Sequence, residues 1–99
     1  MNKQIKYPFL ASPASIGNLE LKNRMIMAAM GSNFASEDGH TTDQLISYYE
    51  ERARGGIGLI ILETSAITWP AGASMPNMIG FSKDEFIPNL QSLTQLIHQ

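Results

Sequence analysis

The segment Ile57-Gly58-Leu59-Ile60-Ile61-Leu62-Glu63-Thr64 decides the fold of this 99-residue chain. Two glycines precede it, apolar and β-branched residues fill it, and polar residues follow it, a pattern that predicts a β-strand. Because the apolar residues are continuous rather than alternating, we expect the strand to be buried on both faces, as in a parallel sheet. The segment therefore predicts an α/β fold.

A second strand is predicted upstream, in the near-continuous apolar run Arg24–Met30. The run is rich in methionine and alanine, so a helix is the alternative interpretation. The loop that follows, residues 31–40, is polar and contains the turn signal Asp38-Gly39, which favours the strand.

A helix is predicted between the two strands. Thr41 begins it by capping the backbone amide of Gln44, and Gly55-Gly56 ends it, because glycine adopts the left-handed terminal conformation without a steric penalty. Glu50 and Arg54 lie one turn apart in the favourable order. The residues of the predicted apolar face are Leu45, Ile46, Tyr48, Tyr49 and Ala53.

A second helix is predicted after the second strand. The capping box Ser82-Lys83-Asp84-Glu85 begins it, and Pro88 lies in its first turn, where a missing N–H is tolerated. Ser65–Gly80, between strand and helix, is predicted to be a long loop, and such loops in compact domains are often functional. The apolar positions of this helix are Phe86, Ile87, Leu90, Leu93 and Ile97.

The amino-terminal region completes the order of elements. Residues 1–14 are predicted to be an extended lead-in, and a Gly17-Asn18 turn within residues 15–21 predicts a β-hairpin. Hairpin, strand, helix, strand, helix is the order of a parallel α/β fold. Two parallel strands leave open edges, and a (β/α)8 barrel needs about 250 residues. We therefore expect residues 1–99 to be the opening part of a barrel, or of a doubly wound sheet, in a truncated chain.

Composition excludes several classes of protein. The chain is 43% hydrophobic and 16% charged, which is not the composition of a disordered protein, and its net charge of −2 gives no sign of nucleic-acid binding. It contains no cysteine, so these residues form no disulfide and ligate no iron–sulfur cluster. No apolar run approaches the ~20 residues of a membrane span. Since the amino terminus also lacks a secretory signal, we expect a cytoplasmic protein.

The stretch from Ile16 to Gly31, IGNLELKNRMIMAAMG, resembles the start of Old Yellow Enzyme family flavoproteins. The stretch from Asp38 to Glu63 resembles the same family in its Asp-Gly, Tyr-Tyr, Arg-Ala and Gly-Gly-Ile-Gly-Leu-Ile elements. The branch that it resembles most is that of the bacterial NADH:flavin oxidoreductases, with 2,4-dienoyl-CoA reductase and enoate reductase relatives. The resemblance runs from about Pro8 to the end of the chain.

This resemblance implies an FMN-dependent oxidoreductase on a TIM barrel, of which residues 1–99 would be the amino-terminal part. Such enzymes take a hydride from NAD(P)H and deliver it to an activated alkene, and the cofactor carries the chemistry. The implied partner is a small unsaturated substrate, with no nucleic acid and no membrane, and with a homo-oligomer as a possibility. An iron–sulfur cluster would belong only to a longer chain. The family's catalytic residues would lie beyond Gln99.

The resemblance also implies which residues contact the flavin. They lie at the carboxyl ends of the two strands, where TIM-barrel enzymes build their sites. Carried over by position, they are Ala28, Ala29, Met30, Gly31 and Thr64. Where this chain has Gly31, some family members have a cysteine, and some place a substrate-contacting tyrosine near Asn33. Tuning of the flavin and substrate contact through those groups are therefore not expected here.

Other side chains have a structural interpretation beside a functional one. We expect Glu63 to accept hydrogen bonds from strand-end amides rather than to act as an acid, and Tyr48-Tyr49 to pack the first helix. Lys22-Asn23-Arg24 is expected to join the hairpin to the first strand. We expect His40 and His98 to be solvated, with no metal site. Trp69 and Met75 are the candidates for the substrate side.

Two alternatives remain open at the level of sequence. Beside the flavin oxidoreductase, the chain would be a non-catalytic module that associates through its open strand edges, or part of a TIM-barrel enzyme that uses no flavin.

Overall fold

The computed structural model describes residues 6–98. Its elements, in chain order, are α1 (Pro8–Ala11), β1 (Ala14–Ile16), β2 (Leu19–Leu21), β3 (Ile26–Met27), α2 (Asp43–Arg54), β4 (Leu59–Ile60), β5 (Ser65–Ala66), β6 (Ile79–Gly80), a 3-10 turn (Asp84–Phe86) and α3 (Ile87–Ile97). The predicted extended lead-in is wrong for residues 8–11, which form the short α1. The rest of that prediction, for residues 1–5, and the position of Gln99 lie outside the described residues.

The predicted hairpin is confirmed. Strands β1 and β2 pair antiparallel, with Ala14 opposite Leu21 and Ile16 opposite Leu19. Gly17 occupies the turn with φ +57, a backbone conformation that glycine adopts without strain.

The two central strands are parallel, as the sequence predicts. Ile26 pairs with Leu59 and Met27 pairs with Ile60, and the Ile61 amide continues the ladder by donating to the Met27 carbonyl at 3.0 Å. The paired segments are shorter than the predicted strands. After Met27 and Ile61 the two segments no longer pair with each other and continue as loops. Both strands therefore point their carboxyl ends to the same edge.

Helix α2 lies where the sequence predicts it, but its cap is one residue later than expected. Thr42, not Thr41, has the extended backbone of a cap residue, and its Oγ1 accepts from the Leu45 amide at 3.1 Å. The expected ion pair between Glu50 and Arg54 is present. The helix ends at Arg54 and the chain reverses through Gly56, which has φ +102.

The second βα connection differs from the sequence prediction. Within the expected loop Ser65–Gly80, the terminal residues form β5 and β6, which pair in parallel. The predicted capping box does not form, because Ser82 Oγ accepts from the Trp69 amide at 3.1 Å instead. Helix α3 is entered through the 3-10 turn, with Phe86 at the cap position and no side-chain cap.

The core lies between the central strands and the two helices. Its buried residues are Ala35, Leu45, Tyr49, Ile79 and Leu93. Met27 and Ile60 pack against this core, whereas Ile26 and Ile61, on the other face of the same strands, remain 50% and 48% exposed. The described residues therefore form two βα units with one covered face and one open face, and they do not close a barrel.

No helix among residues 6–98 combines the length and the apolar character needed to cross a bilayer.

Candidate functional site

The carboxyl ends of β3 and β4 form an exposed edge that carries all the predicted site residues. Ala28, Ala29, Met30 and Gly31 follow β3, Thr64 follows β4 by four residues, and all five are exposed. The parallel pairing of the two strands brings both ends to one side of the molecule. The structure therefore places these residues on one accessible edge, and their contact with a flavin remains a prediction.

The chemistry of this edge fits a flat, polar heterocycle such as a flavin. The backbone amides and carbonyls of Ala28–Gly31 make no hydrogen bond to another residue within 6–98. Alanine and glycine side chains leave those groups accessible, and the exposed thioether of Met30 offers a polarisable surface. Exposed small residues beside free backbone donors and acceptors suit a ring whose edge carries alternating hydrogen-bonding groups.

The second βα connection approaches the same edge at Gly31. A Cβ atom added to Gly31 would lie 2.7 Å from the Met75 Cε methyl group, so this position has room only for glycine while Met75 holds its place. A further link joins the Asn77 amide to Asn33 Oδ1 at 3.2 Å. Met75 therefore borders the predicted site, and its contact with a substrate stays a prediction.

A buried carboxylate lies directly behind the exposed edge. Glu63 is only 2% exposed, and three donors surround it. Ser32 donates through its hydroxyl to Oε1 at 2.6 Å and through its backbone amide to Oε2 at 3.3 Å, and the Tyr49 hydroxyl donates to Oε1 at 3.0 Å. The prediction of Glu63 as a hydrogen-bond acceptor is confirmed, with one backbone amide and two hydroxyls as its donors.

Tyr49 has a second role beyond the packing that the sequence predicts. Its ring packs edge-on against Tyr48, and its hydroxyl accepts from the Glu63 amide at 3.0 Å while donating to the Glu63 carboxylate. Burial, with the neighbouring carboxylate as a further contribution, raises the pKa of Tyr49 well above its usual value. The phenol therefore stays protonated and serves as a fixed donor.

Hydrogen bonds also connect Ser32 to the start of α2. The Phe34 amide donates to Ser32 Oγ at 3.2 Å, and Thr42 Oγ1, which caps the helix, donates to the Phe34 carbonyl. The loop after β3 is thus held by one hydrogen bond from the cap residue of α2, at Phe34, and by two hydrogen bonds from Ser32 to Glu63.

In the loop around Asp38, the His40 side chain is packed rather than solvated. His40 keeps only 25% of its side chain exposed, and its ring centroid lies 4.9 Å from that of Phe86, so the prediction of a solvated His40 is wrong. Hydrogen bonds from Ser36 and His40 lower the pKa of the exposed Asp38 carboxyl. His98 is exposed, as predicted.

Trp69 lies against the backbone of two glycines rather than at the strand-end edge. A Cβ atom added to Gly39 would meet its ring at 3.0 Å, and one added to Gly80 would meet its Cβ at 3.2 Å. Its surroundings are therefore those of a packing residue, and they do not support the predicted substrate contact.

The expected structural role of Lys22-Asn23-Arg24 is confirmed. The buried Asn23 side chain donates to the Gly56 carbonyl at 2.6 Å and accepts from the Met25 amide at 3.0 Å. The Arg24 amide donates to the Leu10 carbonyl.

No group of three or more potential metal ligands is found among residues 6–98.

Ser32 is a residue of the site region that sequence reasoning missed. A serine after a strand has no periodicity and no motif of its own, and its partner is 31 positions away. The one available signal is indirect, since a buried glutamate at the end of a strand requires donors from somewhere.

Residues 10–99 match the sequence model of the NADH:flavin oxidoreductase / NADH oxidase family. The NADH oxidase of Thermoanaerobacter brockii is 39% identical to this chain over 92 residues, which make up 93% of this chain and 14% of that protein.

Two solved structures resemble the fold described above. A complex of 2-naphthoyl-CoA reductase with 2-naphthoyl-CoA has a TM-score of 0.87 and 32% identity, covering 91% of this chain and 14% of that one. The old yellow enzyme from Trypanosoma cruzi has a TM-score of 0.83 and 31% identity, covering 95% of this chain and 25% of that one. These neighbours are TIM-barrel enzymes, and the hairpin with its two βα units corresponds to a small part of each.

Proposed function

The chain belongs to the NADH:flavin oxidoreductase / NADH oxidase family, and we therefore propose that it supplies two strand ends of the FMN site of an NAD(P)H-dependent, ene-reductase-type oxidoreductase. The observation that carries the proposal is the exposed edge where β3 and β4 end in parallel. There, small residues and free backbone groups at Ala28–Gly31 lie on the same side as Thr64.

The residues of this edge would bind and orient the cofactor. Ala28 and Ala29 would let the backbone approach the ring edge, Met30 would lie against its face, and the hydroxyl of Thr64 would add a hydrogen-bonding group. Bound FMN would supply the chemistry of hydride transfer from NAD(P)H to the β-carbon of an activated alkene. The protein's part at this edge is to fix the position of the ring and to exclude water from one side of it.

The acceptor is proposed to be a small unsaturated molecule. One relative is named for the oxidation of NADH and one neighbour for the reduction of an aromatic CoA thioester, so the names differ in the acceptor. A shared strand-end edge serving different acceptors is what a cofactor-binding role predicts. We further propose that the protein acts in the cytoplasm.

The test uses the product of the complete reading frame that encodes this chain. We expect the purified protein to be yellow and to release FMN, rather than FAD or riboflavin, on denaturation. Anaerobic NADH or NADPH should bleach the flavin absorption, and an α,β-unsaturated ketone should restore it. A colourless protein that cannot be loaded with FMN would refute the proposal.

A non-catalytic module is the competing interpretation, and the open inner face with Ile26 and Ile61 favours it. Such a module would be colourless and would sediment as a multimer, in which further copies cover the apolar faces. Sedimentation velocity of the same preparation, read together with its flavin content, separates the two interpretations.

A further inference from the structure

We propose that Glu63 is a positioning residue that holds the two strand ends in register with each other, so that Met30-Gly31 and Thr64 form one surface for the flavin. The inference rests on the proposed function and deepens it at the same site.

The geometry of Glu63 relative to the two strand ends carries the argument. Glu63 immediately precedes Thr64, and Ser32 immediately follows Gly31. The carboxylate takes both the amide and the hydroxyl of Ser32, at 3.3 and 2.6 Å. Gly31 and Thr64, two of the five candidate flavin contacts, are therefore the direct neighbours of the two residues, Ser32 and Glu63, that these hydrogen bonds join.

The surroundings of the carboxylate show that it is built to accept. Its three neighbouring donors come from Ser32 and Tyr49. Within residues 6–98, no lysine, arginine or histidine forms an ion pair with it. Burying a carboxylate without an ion pair costs folding free energy unless fixed donors satisfy its oxygens. Removing one acceptor oxygen of Glu63 should therefore make Ser32, which supplies two of the three donors, more mobile.

Within the described residues, no other hydrogen bond joins the segments that follow β3 and β4. The ladder between β3 and β4 ends with the bond from the Ile61 amide to the Met27 carbonyl. Beyond it, within the described residues, the hydrogen bonds that join the two ends run through Glu63. The Glu63 amide in turn donates to the hydroxyl of Tyr49, a residue of α2. The arrangement of Ser32, Glu63 and Tyr49, called the clamp below, is therefore attached to that helix.

Glu63→Gln is the sharpest variant, because it keeps the size of the side chain. The amide oxygen can still accept from the Ser32 and Tyr49 hydroxyls, but the amide nitrogen would face the Ser32 N–H, donor against donor. Glu50→Gln is the matched control, because it also removes one negative charge but lies in a surface pair with Arg54.

The first readout needs no flavin. In the complete gene product, hydrogen exchange of the segment 31–35 should become about tenfold faster in Glu63→Gln, as expected for the loss of a bond to a charged acceptor. The segment 43–54 should be unchanged, and Glu50→Gln should behave as wild type. Unchanged exchange of residues 31–35 would overturn the proposal, because Ser32 would then not be held by Glu63.

The second readout is the flavin itself. The dissociation constant for FMN should rise about tenfold in Glu63→Gln, with altered shape of the bound-flavin absorption bands, and should stay at the wild-type value in Glu50→Gln. Faster exchange with unchanged flavin affinity and spectrum would reduce Glu63 to a purely structural role and overturn the proposal.

A second pair of variants covers the case in which Glu63→Gln does not fold. Ser32→Ala removes the hydroxyl that bonds the carboxylate and should weaken FMN binding, whereas Ser32→Thr retains the hydroxyl and should restore it. Equal affinities in the two variants would contradict the proposal. If the wild-type protein binds no flavin, the proposed function fails and the positioning role falls with it, while the exchange data still show whether the clamp exists.

Discussion

The two βα units of this protein carry the same kinds of sequence signal, yet only the first follows them closely. In the first unit (residues 26–54), a threonine caps the helix and a glycine pair ends it. In the second unit (residues 59–97), the serine of an equally good capping box bonds a tryptophan amide 13 positions away. Local signals are thus reliable where the neighbouring chain offers no competing partner.

The two helices also differ in how completely their apolar residues are buried. Helix α2 buries Leu45 and Tyr49 completely, in a core cluster that also contains Leu93 of α3. Helix α3 buries Leu93, but Leu90 and Ile97 border a groove of about 420 Å³ that also contacts Phe81 and the hairpin. The buried positions of α2 are therefore covered by contacts within the described residues, whereas α3 has an open groove beside Leu90 and Ile97. Four pairs of variants test the contacts that support the two units.

The largest effect is expected from Leu45→Ala. Leu45 is fully buried, so its truncation should lower the free energy of unfolding by about 2–5 kcal/mol. Leu90→Ala, at the open groove, should lower it clearly less. Urea unfolding followed by far-UV circular dichroism measures both, and equal losses would show that the two helices are equally supported.

Tyr49→Phe should follow, with a loss of about 1–3 kcal/mol, because the buried Glu63 amide loses its acceptor. The half-buried Tyr48 offers the control Tyr48→Phe, for which little change is expected.

The Tyr49 contribution should also depend on pH. The unfolded chain releases the phenolic proton near pH ~10, while the folded chain retains it because the pKa is raised. The contribution is therefore complete below about pH 10 and declines as the pH rises above it. Urea unfolding at neutral and at alkaline pH should show a smaller alkaline decline in Tyr49→Phe, and an unchanged decline would contradict the assignment.

Gly56→Ala should cost about 1–2 kcal/mol, because Gly56 has φ +102, which a residue with a Cβ adopts only under strain. Gly55→Ala is the comparison, since Gly55 has right-handed helical angles. Thermal unfolding of both should place the larger loss at position 56, and the reverse order would mean that Gly55, not Gly56, sets the helix end.

Thr42→Ala should cost about 1 kcal/mol by removing the cap of α2. Ser82→Ala should leave the helix content of α3 unchanged, because Ser82 caps nothing in the structure. Circular dichroism with urea unfolding measures both, and a cap-sized loss at Ser82 would restore the capping box that the sequence predicts.

The sequence predicted most of the first unit and little of the site's support. The hairpin, both parallel strands and α2 follow from apolar runs, glycine turns and capping residues, all of which act over a few residues. The β5–β6 pair and the Ser32–Glu63 contact join positions more than ten residues apart, and no local pattern announces them. The same holds for Tyr49, whose helical position predicts packing but not a hydroxyl bonded to Glu63.

By itself, the sequence determined which segments are strands and helices, and which residues end each strand. Only the tertiary structure decided that Glu63 accepts hydrogen bonds from Ser32 and Tyr49 behind those ends. It also decided that His40 is packed, and that Ser82 accepts a hydrogen bond from the Trp69 amide instead of capping a helix. The physical reason is that backbone propensity and periodicity are properties of neighbouring residues. A buried polar group, in contrast, is satisfied by whichever donor the packing brings within about 3 Å, whatever its distance along the chain.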